Sequence, residues 1–104
     1  MQDNKKQQNQ INIEISDEVG EGIYSNLAII THSPAEFIID FVKMMPGVPK
    51  AKVKSRIILT PQHAKRLYKA LKENVAKYEN MYGEIRDAEG EIPFNLNLPP
   101  VAQA

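Results

Sequence analysis

The segment Thr-His-Ser-Pro-Ala-Glu, residues 31–36, contains the strongest candidates for chemistry in this chain. His32, Ser33 and Glu36 are the residue types of a nucleophile with its base, or of half a metal site. A catalytic motif also needs a third group that orients the base, in a structural context that confirms it. The alternative interpretation, which we favour, is a Ser-Pro turn or cap with His32 at the end of a strand.

The other candidate catalytic groups are isolated. His63, the second of two histidines, is far from His32 in sequence and close to basic residues, which is typical of a surface position. Glu36 and Asp40 could form a carboxylate pair, but their alternation with aromatic and aliphatic residues fits a strand better. The chain has no cysteine, which excludes disulfides, thiolate ligands and cysteine nucleophiles. We therefore predict that the protein is not an enzyme and that it uses no metal or other cofactor.

A second feature is a run of basic residues at every second position, which we name the basic ladder. The net charge is zero, yet residues 7–42 contain six acidic and no basic side chains, whereas residues 43–77 contain ten basic side chains and one acidic one. Such segregation can build a basic binding face, or it can place acidic and basic strands side by side. The ladder residues, which are the candidate polyanion ligands, are Lys50, Lys52, Lys54 and Arg56.

Alternation of apolar and polar residues predicts the strands that would carry these groups. It occurs in residues 11–16 and in residues 50–59, whereas residues 23–32 are apolar on both sides and predict a second strand after a glycine turn. Residues 34–45 allow two interpretations: the Ser-Pro-Ala-Glu run is typical of a capped helix start, whereas the Phe-Ile-Ile-Asp-Phe run favours a strand. We favour the strand, which gives a sheet of about four strands.

A long helix is predicted after the last strand and ends at Gly83. Thr60 is typical of an N-cap, and proline follows at the first helical position. Apolar residues recur at spacings of three and four along this helix and form one stripe. The members of the stripe are Ala64, Leu67, Leu71, Val75, Tyr78 and Tyr82. We predict an α+β fold, an antiparallel β-meander followed by this helix, which packs on one face of the sheet through Leu67, Leu71 and Val75.

The two ends differ in composition from the middle of the chain. Residues 1–10 include six Asn or Gln, which predicts a disordered polar tail. Residues 84–104 are acidic and proline-rich, which predicts an extended C-terminal arm. Residues 11–83 remain as a single domain. No apolar run approaches the length of a membrane span, and no apolar signal core follows the first lysines, so we expect a cytoplasmic protein without membrane contact.

A hairpin around the Pro-Gly-Val-Pro run would place the basic ladder beside acidic and apolar residues. The predicted pairs are Asp40 with Arg56, Val42 with Lys54, and Met44 with Lys52. The sheet face away from the helix would then be apolar with a charged rim, which is typical of an association surface. The interface candidates on this face are Tyr24, Ile30, Ile38, Asp40, Val42, Met44 and Arg56.

These patterns favour a protein that works by association. We predict a non-catalytic interaction protein that forms a homodimer or a higher homo-oligomer and holds a protein or peptide segment on its exposed sheet face. The alternative is a nucleic-acid-binding protein that uses the basic ladder, with phosphate contacts that weaken as salt is added. Against this alternative, ladder and helix bases would lie on opposite faces of the sheet, and the sequence shows no helix-turn-helix or stacking motif.

The runs YSNLAIITHSPAEF and RIILTPQHAKRLYKAL carry a resemblance to a known family. From Ile11 to Glu79 the chain resembles a family of small prokaryotic proteins catalogued as domain of unknown function 3467. This resemblance implies a shared fold and a bacterial source, and it brings no activity, ligand or site residue with it. The order of strands, long helix and apolar arm, with the run IPFNLNLPPV, is also similar to the SecB family of export chaperones. That similarity implies a comparable architecture and oligomerisation.

Overall fold

The computed structural model describes residues 10–87. Five elements follow one another: a short helix α1 (Asp17–Gly20), strands β1 (Leu27–His32), β2 (Phe37–Lys43) and β3 (Lys52–Leu59), and a long helix α2 (Pro61–Tyr82). The strands form one antiparallel sheet with β2 in the middle. The predicted α+β fold, a β-meander followed by one long helix, is confirmed. The predicted polar tail lies outside the described residues apart from residue 10, and so does the predicted arm beyond residue 87.

Residues 11–16 do not form the first of the predicted strands, so the sheet of residues 10–87 has three strands instead of four. The three isoleucines of this segment are exposed. Ser16 ends the segment because its Oγ accepts a hydrogen bond from the Val19 amide at 3.2 Å, which caps α1. Alternation describes a two-sided segment, but a strand also needs a neighbouring strand with which to pair.

Within residues 34–45, which fit both a helix and a strand, Phe37–Lys43 form strand β2. The Ser-Pro-Ala-Glu run before it forms a turn. Ser33 Oγ accepts hydrogen bonds from the amides of Ala35 and Glu36 at 3.1 and 3.3 Å. The Ser33 amide in turn donates to the Glu36 carbonyl at 2.9 Å. The pattern that also fits a helix cap therefore closes the connection between β1 and β2, because serine makes the same side-chain bonds in both.

A tight turn begins the connection between β2 and β3. The Val48 amide donates to the Met45 carbonyl at 3.2 Å, with Pro46 and Gly47 between them. Gly47 has a φ of 80°. Proline followed by a residue of positive φ is the pattern of a type II turn, so the Pro-Gly dipeptide determines where the chain reverses.

Ser25 and Asn26 extend the pairing of β1 with β2 beyond the strand ends. The Asn26 side chain acts like a backbone unit, since Nδ2 donates to the Met44 carbonyl at 3.0 Å and Oδ1 accepts from the Met44 amide at 2.8 Å. The Asn26 amide and the Ser25 hydroxyl both donate to the Val42 carbonyl at 3.0 Å. The Tyr-Ser-Asn-Leu run thus determines where β1 begins.

The core is centred on β2. Ile38, Ile39 and Val42 are buried, together with Leu59 at the end of β3. Both faces of β2 contribute, because side chains alternate along a strand and Ile39 points away from Ile38 and Val42. The sheet supplies the buried residues of the described chain, since no residue of α2 is buried.

Both ends of α2 are well defined. Thr60 Oγ1 accepts a hydrogen bond from the His63 amide at 3.2 Å, and the Thr60 carbonyl accepts one from the Ala64 amide at 2.9 Å. At the other end the Gly83 amide donates to the Glu79 carbonyl at 2.9 Å, and Gly83 has a φ of 99°. The predicted N-cap, the proline at the start and the stop at Gly83 are confirmed.

The position of α2 corrects the prediction that it packs along the sheet. Leu67, Leu71 and Val75 keep 39, 59 and 38% of their surface exposed, so these side chains are not buried as predicted. Among the described strands, α2 packs closest to β3, which precedes it in the chain. Spacings of three and four residues show that a helix has one apolar side, but they do not specify whether the sheet of the same chain or another chain covers that side.

Candidate interaction surfaces

The turn that begins at His32 has the geometry of a connection. The His32 ring stacks on Phe37 with 5.4 Å between the ring centroids. The Ser33 hydroxyl accepts two backbone amide hydrogen bonds, so its oxygen is directed into the turn. Among residues 10–87, no three histidine or acidic side chains come together in a group that could hold a metal ion. This arrangement favours a turn over a nucleophile with its base.

The charged pair predicted from the hairpin register is present. Asp40 lies opposite Arg56, whose guanidinium donates from Nε to Oδ1 at 2.7 Å and from Nη2 to Oδ2 at 2.9 Å. Asp40 is 2% exposed, whereas the Arg56 side chain is 38% exposed. Both carboxylate oxygens therefore receive a charge-assisted hydrogen bond in a position away from water.

The same pair determines the protonation of Asp40. Hydrogen bonds from Arg56 lower the pKa of Asp40 below its usual value, and they outweigh the burial that would raise it. The positive charge of Arg56 lowers the Asp40 pKa further, and the pair raises the pKa of Arg56. Both groups are thus charged at neutral pH, and the pair holds β2 to β3 without exchanging a proton.

The seven interface candidates do not form one exposed patch. The register places Ile38, Asp40 and Val42 on the same face, with Arg56 beside Asp40. Ile30 pairs with Ile39, whose side chain points to the opposite face of the sheet, so Ile30 belongs to that opposite face. Ile38 and Val42 each keep 4% exposure, so these two candidates have little surface left for a partner.

The remaining two candidates, Tyr24 and Met44, lie beyond the strand ends. Lys43 Nζ lies over the Tyr24 ring, 5.9 Å from its centroid, which is within the range of a cation–π interaction. Met44 pairs through its backbone with the Asn26 side chain. Tyr24 is exposed and belongs with Lys43 at the end of the hairpin, away from the buried centre of β2.

A bulge changes the register at the outer end of the basic ladder. Val42 pairs with Val53 instead of with Lys54 as predicted. The next pair is Lys43 with Lys52, which places two like charges side by side, where Met44 was expected. Sequence alternation does not locate such a bulge, because one inserted residue leaves the alternation intact on both sides of it.

The bulge divides the ladder into two parts. Arg56 bonds to Asp40 near the middle of the sheet. The outer lysines are exposed at the turn end of the hairpin, and we name them the lysine cluster. Its members are Lys43, Lys50, Lys52 and Lys54. The structure therefore leaves three of the four candidate polyanion ligands exposed at the same end of the hairpin as Lys43, with Lys52 directly opposite it, and assigns Arg56 to another contact.

One side of α2 carries a continuous row of apolar residues, which we name the seam. Its members are Ala64, Tyr68, Leu71, Val75, Tyr78 and Tyr82. Successive members are alternately four and three residues apart, which is the a and d pattern of a heptad repeat. Ala64 is half-buried, and the other members are exposed, from Val75 at 38% to Tyr82 at 71%. The seam thus has the spacing of a coiled-coil surface, and the described part of its own chain leaves it largely exposed.

The two flanks of the seam differ in chemistry. One flank carries Leu67, Asn74 and Met81, and the other carries Lys65, Lys72 and Glu79. These are the g and e positions of the heptad, which in coiled coils influence the choice of partner and its orientation. Each flank is therefore a potential contact with a second helix.

The chain matches a known family. Residues 1–87 match the family model described as Protein of unknown function (DUF3467). The chain belongs to this family. No curated protein and no solved structure matches the chain. The DUF3467 match spans α1, the sheet and α2, so the seam and the Asp40–Arg56 pair both lie inside the family's region of this chain.

Sequence reasoning about this DUF3467 chain missed one seam residue. The predicted stripe included Leu67, whereas unbroken heptad spacing needs Tyr68 in its place. A count of strict four-three spacings would have found it, since every seam position in α2 is then apolar. α2 itself also carries five basic and two acidic residues, and no helix in the described part of the chain is long and apolar enough to cross a membrane.

Proposed function

We propose that this protein is a non-catalytic interaction protein of the cytoplasm that works as a homo-oligomer and holds a protein or peptide partner. The observation that carries the proposal is the exposed seam of α2. A row of apolar residues with heptad spacing is a surface for a second helix, and a second copy of the chain supplies a helix with the same spacing.

The energetics of α2 support this proposal. Isolated helices are marginal in water and gain most of their stability when an apolar face is covered. Burying a leucine or valine side chain contributes about 1.5 to 3 kcal/mol. Leu71 and Val75 lie mid-helix and are exposed, so covering them would stabilise the helix more than its own caps do. Association is the direct way to gain that free energy.

The sheet offers a separate surface for a partner segment. Within the described sheet, β1 and β3 each pair with β2, which leaves the outer edge of each without a described neighbour. An extended peptide can add to such an edge through backbone hydrogen bonds. Ile30 on β1 and Ile57 on β3 are exposed on the same sheet face and could contact its side chains. We therefore propose that a peptide contacts the outer edge of β1 or β3 together with Ile30 or Ile57, instead of the buried face of β2 that the sequence predicted.

The mass of the protein in solution tests the homo-oligomer. We expect sedimentation equilibrium of the full chain at micromolar concentration to give at least twice the chain mass. Leu71→Asp places a charge in the seam and should return the mass to that of one chain. Ala70→Asp is the matched control, because it adds the same charge on the same helix turn outside the seam. A wild-type chain that stays monomeric at 100 µM, a high concentration for a dimer of about micromolar affinity, would exclude the proposal.

A second candidate function, polyanion binding, is favoured by the lysine cluster. Lys43 and Lys52 lie directly opposite each other, an arrangement that costs free energy in a sheet. An anion between two such lysines would remove that cost, and a nucleic-acid backbone provides anions in series. The cluster is exposed and is not part of the core, so a phosphate backbone could reach it.

A further inference from the structure

We propose that the seams of two copies pair antiparallel, so that Leu71 of one copy lies opposite Val75 of the other. This inference rests on the homo-oligomer proposed above and specifies its orientation and register. In an antiparallel pair each a position of one copy lies opposite a d position of the other. The numbers of two residues that face each other therefore always have the same sum. With Leu71 opposite Val75, the other layers are Tyr68 with Tyr78 and Ala64 with Tyr82.

The volumes of the seam residues favour this orientation. In a parallel pair each residue meets its own copy, so Tyr82 would face Tyr82 at one end and Ala64 would face Ala64 at the other. One end of a parallel pair would thus be crowded and the other end underpacked. The antiparallel pair puts the smallest seam residue against a tyrosine at both ends. Interiors pack to uniform density when large side chains face small ones.

The charged flank favours the same orientation. In an antiparallel pair e positions face e positions, and this register brings Lys65 of each copy beside Glu79 of the other. The Glu79 Oε2 accepts a hydrogen bond from the Ile85 amide at 3.0 Å, and the other carboxylate oxygen remains able to accept from a lysine. Lys72 meets its own copy at the centre, so two opposite-charge contacts stand against one like-charge contact.

A parallel pair lacks these charge contacts. In that orientation each e position faces a g position of the partner, so Lys72 would lie beside Leu67 and Glu79 beside Asn74. The apolar flank shows the same difference. The antiparallel register brings Leu67 beside Met81 at both ends and places the two copies of Asn74 together at the centre. Two asparagine side chains can hydrogen-bond to each other, so this register leaves neither Asn74 amide beside an apolar residue.

A charge exchange tests the register. Lys65→Glu alone, or Glu79→Lys alone, should raise the dimer dissociation constant roughly tenfold, because each replaces two attractions with two repulsions. The double variant Lys65→Glu with Glu79→Lys restores both pairs and should bring the dissociation constant back towards the wild type. The double variant also separates pairing from the Glu79 contact with Ile85, which it does not restore. If the dissociation constant of the double variant stays as high as that of the single variants, the register is wrong.

Disulfide formation tests the orientation directly, because the natural chain has no cysteine. Under mild oxidation, full-length Asn74→Cys should cross-link to itself, since the two copies of this position meet only in the antiparallel pair. Tyr82→Cys should not cross-link to itself, because its copies lie 18 residues, about 27 Å, apart along the contact. A mixture of Tyr82→Cys with Ala64→Cys should form the mixed disulfide. Lys72→Cys is a second self-cross-linking variant, should Asn74→Cys not fold.

The outcomes separate this inference from the proposed function. The cross-linking pattern above, on chains that sediment as dimers when reduced, supports the antiparallel seam. Self-cross-linking of Tyr82→Cys shows a parallel pair, which overturns the orientation and leaves the homo-oligomer standing. Dimeric mass with no cross-link at any of these positions places the contact elsewhere and overturns the inference. Monomeric mass removes the proposed function and this inference together.

Discussion

At the scale of single residues, Asp40 shows how a charge is retained in the middle strand of a small sheet. Its carboxylate is 2% exposed, and both oxygens accept hydrogen bonds from Arg56. A charge in such a position is costly when its partner is removed, because it keeps the loss of hydration and loses the compensating bonds. The Arg56 side chain is 38% exposed, so water can replace part of its contact with Asp40. Asp40 is therefore the member of the pair whose charge depends more on its partner.

Replacing this carboxylate tests the pair. We expect Asp40→Asn to lower the thermal midpoint by roughly 5–10 °C, because the amide group turns a donor towards the guanidinium and keeps one acceptor. Circular dichroism melts of the variant and the wild type measure the shift. Asp17→Asn, on the exposed first turn of α1, is the control and should change the midpoint much less. Equal midpoints for Asp40→Asn and the wild type would show that the pair adds nothing to stability.

The Asp40 pKa also predicts a pH dependence of stability. Its folded-state pKa lies below the ordinary value of 3.8, chiefly through the hydrogen bonds from Arg56. A carboxyl whose pKa falls on folding stabilises the fold above its unfolded pKa and loses that contribution as pH falls through the folded pKa. The thermal midpoint of the wild type should therefore exceed that of Asp40→Asn at pH 7, and the difference should shrink below pH 3.8. A difference that stays constant down to pH 2 contradicts the assignment.

The residue pairs show where sequence reasoning succeeds and where it stops. The pairing of Asp40 with Arg56 follows from alternation and from the position of the Pro-Gly turn, and the structure confirms it. The pairing of Val42 with Lys54 does not hold, because a bulge leaves Lys54 of β3 as an extra residue opposite the step from Phe41 to Val42. Nothing in the local alternation marks that residue. The lysine cluster was therefore not predictable as a group.

At the scale of elements, local signals predict those parts that local bonds determine. The ends of α2 follow from Thr60, its proline and Gly83, whose contacts are within one turn of the helix. The strand after Ser33 was harder to predict, because the same hydroxyl bonds serve a helix cap and a turn. Residues 11–16 show the limit, since their alternation is real but pairing is a property of a neighbouring strand.

The turn between β2 and β3 provides a prediction at this scale. Gly47 has a φ of 80°, and a Cβ added there would meet no atom within 4 Å, so any cost of alanine is conformational. We expect Gly47→Ala to lower the free energy of unfolding by about 1 kcal/mol, measured by urea denaturation. Gly47→Asn should cost less, because asparagine tolerates this region. Gly20→Ala in α1 is the control and should be neutral or stabilising. Equal losses at both glycines would argue against a type II turn.

At the scale of the whole molecule, the sequence predicts an amphipathic helix but not what covers its apolar side. A sheet in the same chain and a helix in a second copy would both select the same spacing of apolar residues. In the structure the seam is exposed beyond the half-buried Ala64, which favours the second copy. Oligomerisation can therefore be argued from this helix, whereas the predicted exposed sheet face is largely buried at Ile38 and Val42.

The lysine cluster gives the last prediction, a test of nucleic-acid binding. Four lysines on phosphates would make the logarithm of the binding constant fall by about 3 for each tenfold rise in salt. Fluorescence anisotropy with a labelled single-stranded oligonucleotide measures this slope. Lys52→Glu with Lys54→Glu should abolish the binding without loss of thermal stability, because it replaces the like-charge pair of Lys43 and Lys52 with an attractive one.

Two outer lysines of α2 provide the matched control for this test. Lys69→Glu with Lys77→Glu removes as much positive charge from the chain but lies outside the lysine cluster and the seam. If both double variants weaken binding equally, the oligonucleotide responds to overall charge and the cluster is not a site. If the wild type does not bind even at low salt, the second candidate function falls. The lysine cluster is then only the solvated end of a hairpin, and the seam is left as the proposed interaction surface of this chain.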